Sequence, residues 1–253
     1  MDTLARLFRL DGKRALVTGA GRGIGLLAAR ALAAYGAHVT LVARSRGEIE
    51  NAAQAIIEDG GQAEPLVLDV MDVEAVRRAV GDAPAFDILV NNAGTNSPGP
   101  FVEVEPESFD RVNDLNVKAA FFVAQAVVRR LIALERPGSI INISSQMGHV
   151  GAANRTIYCT TKFALEGMTR SMAVELAPLG IRVNAIAPTF IETPMTAPFL
   201  EDENFRSSVL SKIKLRRLGK VEDLAGALIL LASDASGLMT GSSILVDGGW
   251  TAE

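Results

Sequence analysis

A single cysteine, Cys159, stands in a chain of 253 residues, so neither a disulfide framework nor a multi-cysteine zinc site can be built from it. Histidine is almost as scarce: His38 and His149 are the only two, which excludes a histidine-rich metal centre. The net charge is −4 and no basic stripe stands out, so nothing favours nucleic acid as a partner. The longest apolar stretch, 117–128, is interrupted by Lys118 and Gln125 and is too short to span a bilayer. The opening Met1-Asp-Thr-Leu-Ala-Arg-Leu-Phe-Arg9 has no unbroken apolar core of the signal-peptide kind. These absences lead to the expectation of a soluble cytoplasmic protein, without a metal, that meets neither membrane nor nucleic acid. What remains is 49% hydrophobic and 21% charged, ample for one large α/β domain or two small ones.

Short apolar runs at 13–18, 37–43, 63–68, 86–90, 139–143, 181–186 and 243–246 read as strands. Helical patterns fall between them, at 46–59, 73–80, 106–134, 158–177 and 221–232 among others. The alternation continues without a composition break, which predicts one α/β domain over 1–253, a parallel sheet with helices on both faces. In such sheets ligands collect at the carboxyl ends of the strands. The segment 188–217, with Pro188, Pro194 and Pro198, breaks the rhythm and is expected to form a lid over those ends, built on two short helices.

Immediately after the first strand comes Gly19-Ala-Gly-Arg-Gly-Ile-Gly25, followed by a helical pattern. Strand, glycine turn and helix are what a phosphate-binding loop requires: glycine lets the backbone approach a pyrophosphate, and a helix N-terminus offers free N–H groups. The second strand ends Val42-Ala-Arg-Ser-Arg46, without the carboxylate that receives a ribose 2′-hydroxyl in NAD-binding proteins. Arg44, and Arg22 from the glycine loop, instead suit a 2′-phosphate, which favours NADP(H) over NAD(H).

Tyr158 and Lys162 are four residues apart, on one face of the helix expected there. An ammonium that close favours the phenolate, so Lys162 is expected to lower the Tyr158 pKa and make it a usable general acid or base. Ser145, at the end of the fifth strand, has a hydroxyl free for a substrate oxygen. Asn116 falls in the middle of the helix expected at 106–134, where asparagine is a poor interior residue. Cys159 reads as a small packing residue.

Taken in order, Thr18-Gly-Ala-Gly-Arg-Gly-Ile-Gly25, Asp69, Asn91-Asn-Ala-Gly94, Asn116, Ser145, Tyr158-x-x-x-Lys162 and Thr240-Gly-Ser-Ser-Ile-Leu-Val-Asp-Gly-Gly249 resemble the short-chain dehydrogenase/reductase family over nearly the full length. The resemblance implies a Rossmann-type, doubly wound domain with seven parallel strands. It implies Tyr158 as general acid in reduction and Lys162 on the nicotinamide ribose. Ser145 would polarise the carbonyl, and Asn116 would hold a water that links Lys162 to solvent. Asp69 would accept from the adenine amino group, with Val70 beside it, and Asn91, Ala93 and Gly94 would line the adenosine side. Gly19, Arg22, Gly23, Ile24 and Gly25 would cradle the pyrophosphate. Pro188, Ile191 and Thr193 would meet the nicotinamide. Helices near 106–134 and 158–177 commonly pair in tetramers or dimers of such proteins.

One departure from the family pattern is Thr189, where Pro-Gly usually stands after the sixth strand. A β-branched residue must there serve a turn that glycine makes easily. The implied function is hydride transfer between NADP(H) and a carbonyl/alcohol pair, as a ketone reductase. Alternatives are a sugar-acid dehydrogenase of the gluconate type, suggested by Leu7-Phe-Arg-Leu-Asp-Gly12 and Tyr35-Gly-Ala37, and a 3-oxoacyl reductase. Epimerisation, C=C reduction and a non-catalytic nucleotide-binding regulator are further options. The expected substrate walls, 95–101, 146–156 and 190–205, mix apolar Met147, Phe190, Met195 and Phe199 with polar Gln146, His149, Asn154 and Arg155. A carboxylate substrate calls for a cation with a fork of donors, and Arg155 is the one candidate nearby.

Overall fold

A computed structural model describes residues 3–253. After a short helix α1 (Thr3–Arg6), strands β1 (Arg14–Thr18), β2 (His38–Ala43) and β3 (Gln62–Val67) alternate with helices α2 (Gly23–Ala34), α3 (Arg46–Glu58) and α4 (Val73–Asp82). The second half holds β4 (Ile88–Asn91), α5 (Pro106–Asn113), α6 (Ala120–Ala133), β5 (Gly138–Ile143), α7 (Thr156–Leu176) and β6 (Ile181–Pro188). It ends with α8 (Ala197–Leu200), α9 (Glu203–Lys212), α10 (Ala225–Ala232) and β7 (Ser243–Val246). All seven strands pair in parallel in the order β3-β2-β1-β4-β5-β6-β7. The chain reverses direction across the sheet between β1 and β4, and a crevice opens at the carboxyl ends there.

The strand sequences explain the layering. β1, β4 and β5 are buried almost throughout, as parallel strands covered on both faces must be. One core sets α2, α3 and α10 against the sheet through Leu32, Ile49, Ile56 and Leu228. On the opposite face α4, α6 and the end of α7 pack through Val76, Val127, Leu131 and Ala173. β3 is the exception. It lies at the sheet edge, half exposed, and tolerates Pro65 there.

The expected elements are present, most with boundary shifts of no more than two residues. Two expectations need correction. The region 221–232 opens with a 3-10 turn, Val221–Leu224, before α10. The single helix expected over 106–134 is two helices joined by a π-turn, Asp114–Ala119, with Asn116 inside it. Such turns accumulate at functional sites, and here the wider turn accompanies an asparagine whose amide is bonded outside the helix.

The lid of 188–217 has a small core of its own. Leu200, Val209, Ile213 and Leu218 cluster with Phe190, Phe205 and Trp250. Phe190 stacks on Trp250 at 5.8 Å and meets Phe205 edge-on at 5.6 Å. Among the described residues no helix is long and apolar enough to cross a membrane, and no group of three His, Cys, Asp or Glu side chains could hold a metal ion.

Candidate active site

The glycine loop joins β1 to α2. Gly23 has φ +56°, a left-handed conformation that side chains resist. Gly25 is demanded by space: a Cβ there would lie 2.2 Å from the Gly19 carbonyl oxygen and 2.5 Å from Asn92 Nδ2. Thr18 ties the loop to β4, its hydroxyl accepting from Asn92 N and Ala93 N, both at 3.0 Å. The Asn92 amide donates to the Thr18 carbonyl at 2.9 Å. A backbone cradle at the N-terminus of a twelve-residue helix fits a dinucleotide phosphate.

At the outer end, Arg44 follows β2 and stands 3.9 Å from Asp69 Oδ2. Asp69 Oδ1 accepts from Met71 N at 3.0 Å, and Val70 is buried beside it. Arg22 reaches Glu48 Oε1 at 3.5 Å, and Glu48 packs against Gly21. Both guanidinium groups are mostly exposed at the mouth, free to turn toward a phosphate.

Two cavities meet at the carboxyl ends of β4, β5 and β6. An open cleft of about 580 Å³ is lined by Ile24, Asn92, Gly94, Lys162, Pro188, Ile191 and Thr193, among others. A second, of about 480 Å³, runs under the lid between Asn96, Gln146, Met147, Arg155, Phe190 and Phe199. Ser145, Tyr158 and Thr189 belong to the walls of both. Thr193 stands against Gly23, their nearest approach to an added Cβ being 3.5 Å; this brings the foot of the lid to the glycine loop. Thr189 has no positive φ, so the turn accepts a β-branched residue without the strain the departure suggested.

Helix α7 begins at Thr156, two residues earlier than expected, and places Tyr158 and Lys162 one turn apart. Lys162 is buried, donates to the Ile143 carbonyl at 2.8 Å, and lies 5.4 Å over the Tyr158 ring. Burial pushes its pKa down to about 8, with Glu166 acting in the opposite sense. Tyr158 is pushed up to about 12, chiefly by burial, while its hydrogen bond with Ser145 lowers it. The expectation that Lys162 lowers the Tyr158 pKa is therefore corrected. Desolvation of the phenolate outweighs the field of the ammonium, which is bonded to the Ile143 carbonyl and stands 5.4 Å from the ring centre. Ser145 Oγ accepts from Met147 N at 3.1 Å and donates to Gln146 Oε1 at 2.8 Å.

Two implied residues point elsewhere. Asn91 is buried and donates to the Ala120 carbonyl at 3.0 Å and to Asn142 Oδ1 at 3.1 Å. It cross-links β4 to β5 and α6, and its neighbour Asn92 faces the cleft. The amide of Asn116 is bonded to Thr95 N at 2.8 Å, the Thr95 carbonyl at 2.9 Å and Thr161 Oγ1 at 3.1 Å. Its side chain braces the loop after β4 against α7 and is not directed at Lys162. His149 sits away from both cavities, on Ser243 Oγ at 3.1 Å and Glu166 Oε1 at 3.3 Å. Thr18, Asn92 and Thr161 were not singled out from sequence; the place of Thr18 directly before the glycine loop was the available signal.

Arg155 caps α7 and follows Asn154, which has φ +58°. Its guanidinium lies 5.3 Å from the Phe199 ring and 5.8 Å from the Phe205 ring, both from the lid. Only 8% of the residue is exposed.

A nucleotide cradle beside a Ser–Tyr–Lys constellation defines a nicotinamide-dependent oxidoreductase of C=O and CH–OH groups. Comparison with known proteins gives the family. The model described as Enoyl-(Acyl carrier protein) reductase matches residues 19–251. L-xylulose reductase of Bos taurus is 41% identical over 244 residues, 96% of this chain and 98% of that one. Gluconate 5-dehydrogenase of Gluconobacter oxydans (strain 621H) is 39% identical over 249 residues, 97% of each chain. The crystal structure of a gluconate 5-dehydrogenase from Burkholderia cenocepacia J2315 in complex with NADP and tartrate superposes with a TM-score of 0.95, at 37% identity and full coverage of both chains. The chain belongs to the short-chain dehydrogenase/reductase family. It transfers a hydride between a nicotinamide dinucleotide and a carbonyl/alcohol pair.

Proposed function

We propose that this protein is an NADPH-preferring reductase of polar, hydroxylated ketones. The observation that carries the reading is the shared wall: Ser145 and Tyr158 stand between the cleft at the glycine loop and the cavity under the lid. A bound nicotinamide supplies the hydride, and the chain's residues do the rest. Ser145 donates to the carbonyl oxygen, where negative charge develops and a placed donor stabilises the transition state most. With a pKa near 12, Tyr158 holds its proton throughout the physiological range and delivers it to that oxygen. Protonated Lys162 then stabilises the phenolate left behind. A proton relay behind Lys162 would pass the backbone of the 114–119 turn, since the Asn116 amide is engaged elsewhere.

Polar substrates suit the cavity. Asn96 and Thr189 line it, and their Oδ1 and Oγ1 atoms are buried without a hydrogen-bond partner among the described residues, a costly state that a small rotation of either side chain toward a substrate hydroxyl would relieve. L-xylulose reductase and gluconate 5-dehydrogenase, the relatives named above, act on polyhydroxylated molecules of this kind. Arg44 and Arg22 support NADP(H), Asp69 and Val70 the adenine, Thr193 and Ile191 the nicotinamide side. The domain is one unit over 1–253 with the lid at 188–217. Phe109, Phe121, Phe163 and Val174, exposed on α5, α6 and α7, support assembly through those helices into a homotetramer or dimer. A lone, partly buried cysteine agrees with a cytoplasmic location.

The test is NADPH consumption against ketopentoses, diketones, keto sugar acids and oxoacyl thioesters, repeated with NADH. Turnover of a hydroxyketone with NADPH is expected. Turnover confined to oxoacyl thioesters, or none beside tight nucleotide binding, would overturn the reading.

A further inference from the structure

Arg155 is a buried cation without a counter-ion. No carboxylate among the described residues acts on it; only Tyr158 and Cys159 contribute charge, and its hydrogen bond is to the neighbouring Asn154 carbonyl, at 3.3 Å. Two lid phenylalanines flank the guanidinium and orient it. Cation–π contacts of this sort satisfy the faces of the group but leave its in-plane N–H donors unused. A charge held away from bulk water without a partner is expensive, and a ligand carboxylate entering the cavity would complete the pair. The Arg155 side chain lines the same cavity as Ser145 and Tyr158, one turn before Tyr158 on α7. Asn96 and Thr189 line this cavity too, and their Oδ1, an acceptor, and Oγ1, the hydroxyl brought in by the departure from the usual glycine, have no hydrogen-bond partner among the described residues.

A guanidinium fork, a lone acceptor and a hydroxyl together complement one kind of molecule: a hydroxylated chain ending in a carboxylate. We propose that Arg155 is the specificity-determining residue of this enzyme and selects ketones that carry a carboxylate, binding it through its donor fork while Ser145 and Tyr158 hold the carbonyl. This rests on the reductase reading above and narrows it to hydroxylated keto acids. Binding the anion also fixes Phe199 and Phe205 over the substrate, because the same guanidinium carries both contacts.

The experiment compares wild type with Arg155→Met, which keeps an apolar stem against the two rings, and with Arg155→Lys, which keeps the charge but loses the fork. Steady-state kinetics with NADPH use a ketopentose and a keto sugar acid, and calorimetry follows D-gluconate binding to each protein. Wild type is expected to prefer the keto acid. Arg155→Met is expected to lower its kcat/KM by about a hundredfold, mainly through KM, while the ketopentose changes less than about threefold; Arg155→Lys falls between. Equal losses on both substrates would overturn the proposal and leave Arg155 as a lid contact. So would a wild type that reduces the ketopentose and ignores the acid, although the reductase reading would then stand. Conversely, Arg155-dependent gluconate binding without turnover of any carbonyl would support the anion site and sink the reductase reading.

Discussion

The two sides of the cleft are built by different means. On the cofactor side, Gly23 with its positive φ, Gly25 with no room for a side chain, the Thr18 hydroxyl and the Asn92 amide hold a backbone cradle. The other cavity is lined by side chains, Arg155, Asn96 and Thr189 among them, under a lid with its own small core. A backbone cradle accepts any molecule with the right phosphates and fails all at once when its geometry is disturbed. A side-chain pocket changes by degrees, one charge or hydroxyl at a time, and can be redirected to a new substrate without harm to the cofactor site. The catalytic residues stand where the two meet and share the character of neither.

The largest effect is expected at that meeting point. Tyr158→Phe removes the only phenol in the shared wall, and general-acid catalysis of this kind contributes on the order of a thousandfold. Turnover should drop by about that factor while NADPH affinity, followed by fluorescence titration, stays unchanged. Substantial remaining turnover would show that the proton comes from elsewhere. Gly25→Ala tests the cofactor side alone. Its methyl group would force the Gly19 carbonyl aside, and a displacement of about an ångström costs roughly a hundredfold. NADPH affinity should fall accordingly, and substrates of every charge should suffer alike.

Lys162 gives a graded counterpart. Its pKa near 8 means that it carries charge at pH 7 and loses it as the pH rises. The rate of reduction should be level below about pH 8 and decline above it, with Tyr158 still protonated. A level profile to pH 10 would remove Lys162 from the phenolate's stabilisation. Linkage runs the other way for stability. Between about 8 and the ordinary value of 10.5 the unfolded chain holds a proton that the folded one has released, so this group's contribution to stability rises with pH across that window. The charged, buried lysine costs about 3 kcal/mol at neutral pH, offset in part by its bond to the Ile143 carbonyl, whose loss costs about 1–3 kcal/mol. Lys162→Met should therefore abolish turnover at pH 7 without lowering Tm, a separation that a purely structural lysine would not show.

Much of this was legible in the order of residues, and the limits follow the range of the interactions. The seven strands, the glycine loop and the Tyr158–Lys162 pair are set by neighbours a few positions apart, so periodicity and spacing reveal them. Which of Asn91 and Asn92 faces the cleft depends on the pairing of β4 with β5, where Asn91 sits opposite Asn142. The direction of the Asn116 amide depends on Thr95 and Thr161, distant in the chain. The sign of the Tyr158 shift was missed for a related reason: the four-residue spacing shows an ammonium nearby, but not the burial that outweighs it. Arg155 could be named as a lone cation near the site, yet its lack of a counter-ion among the described residues depends on where carboxylates distant in the chain are placed.

The smallest expected effect lies at the outer edge of the cofactor side, where the contrast between cradle and side chain breaks down. In the proposed reading the pyrophosphate meets backbone, whereas the 2′ position meets exposed side chains. Arg44 is held only by a long contact with Asp69, and Arg22 by a loose pair with Glu48. A 2′-phosphate would draw both guanidinium groups from these weak partners into charge-assisted hydrogen bonds, whereas a 2′-hydroxyl would leave them there. Arg44→Ala should then reduce the preference for NADPH over NADH by about tenfold, or roughly 1.4 kcal/mol, with kcat for either cofactor nearly constant. Glu48→Gln should shift it in the opposite direction, since it removes a negative charge beside the same position and frees Arg22. Measurement of kcat/KM for both cofactors in the two variants checks the pair together. If neither substitution moves the ratio, discrimination rests on the backbone after all, and the division between the two sides of the cleft extends to its rim.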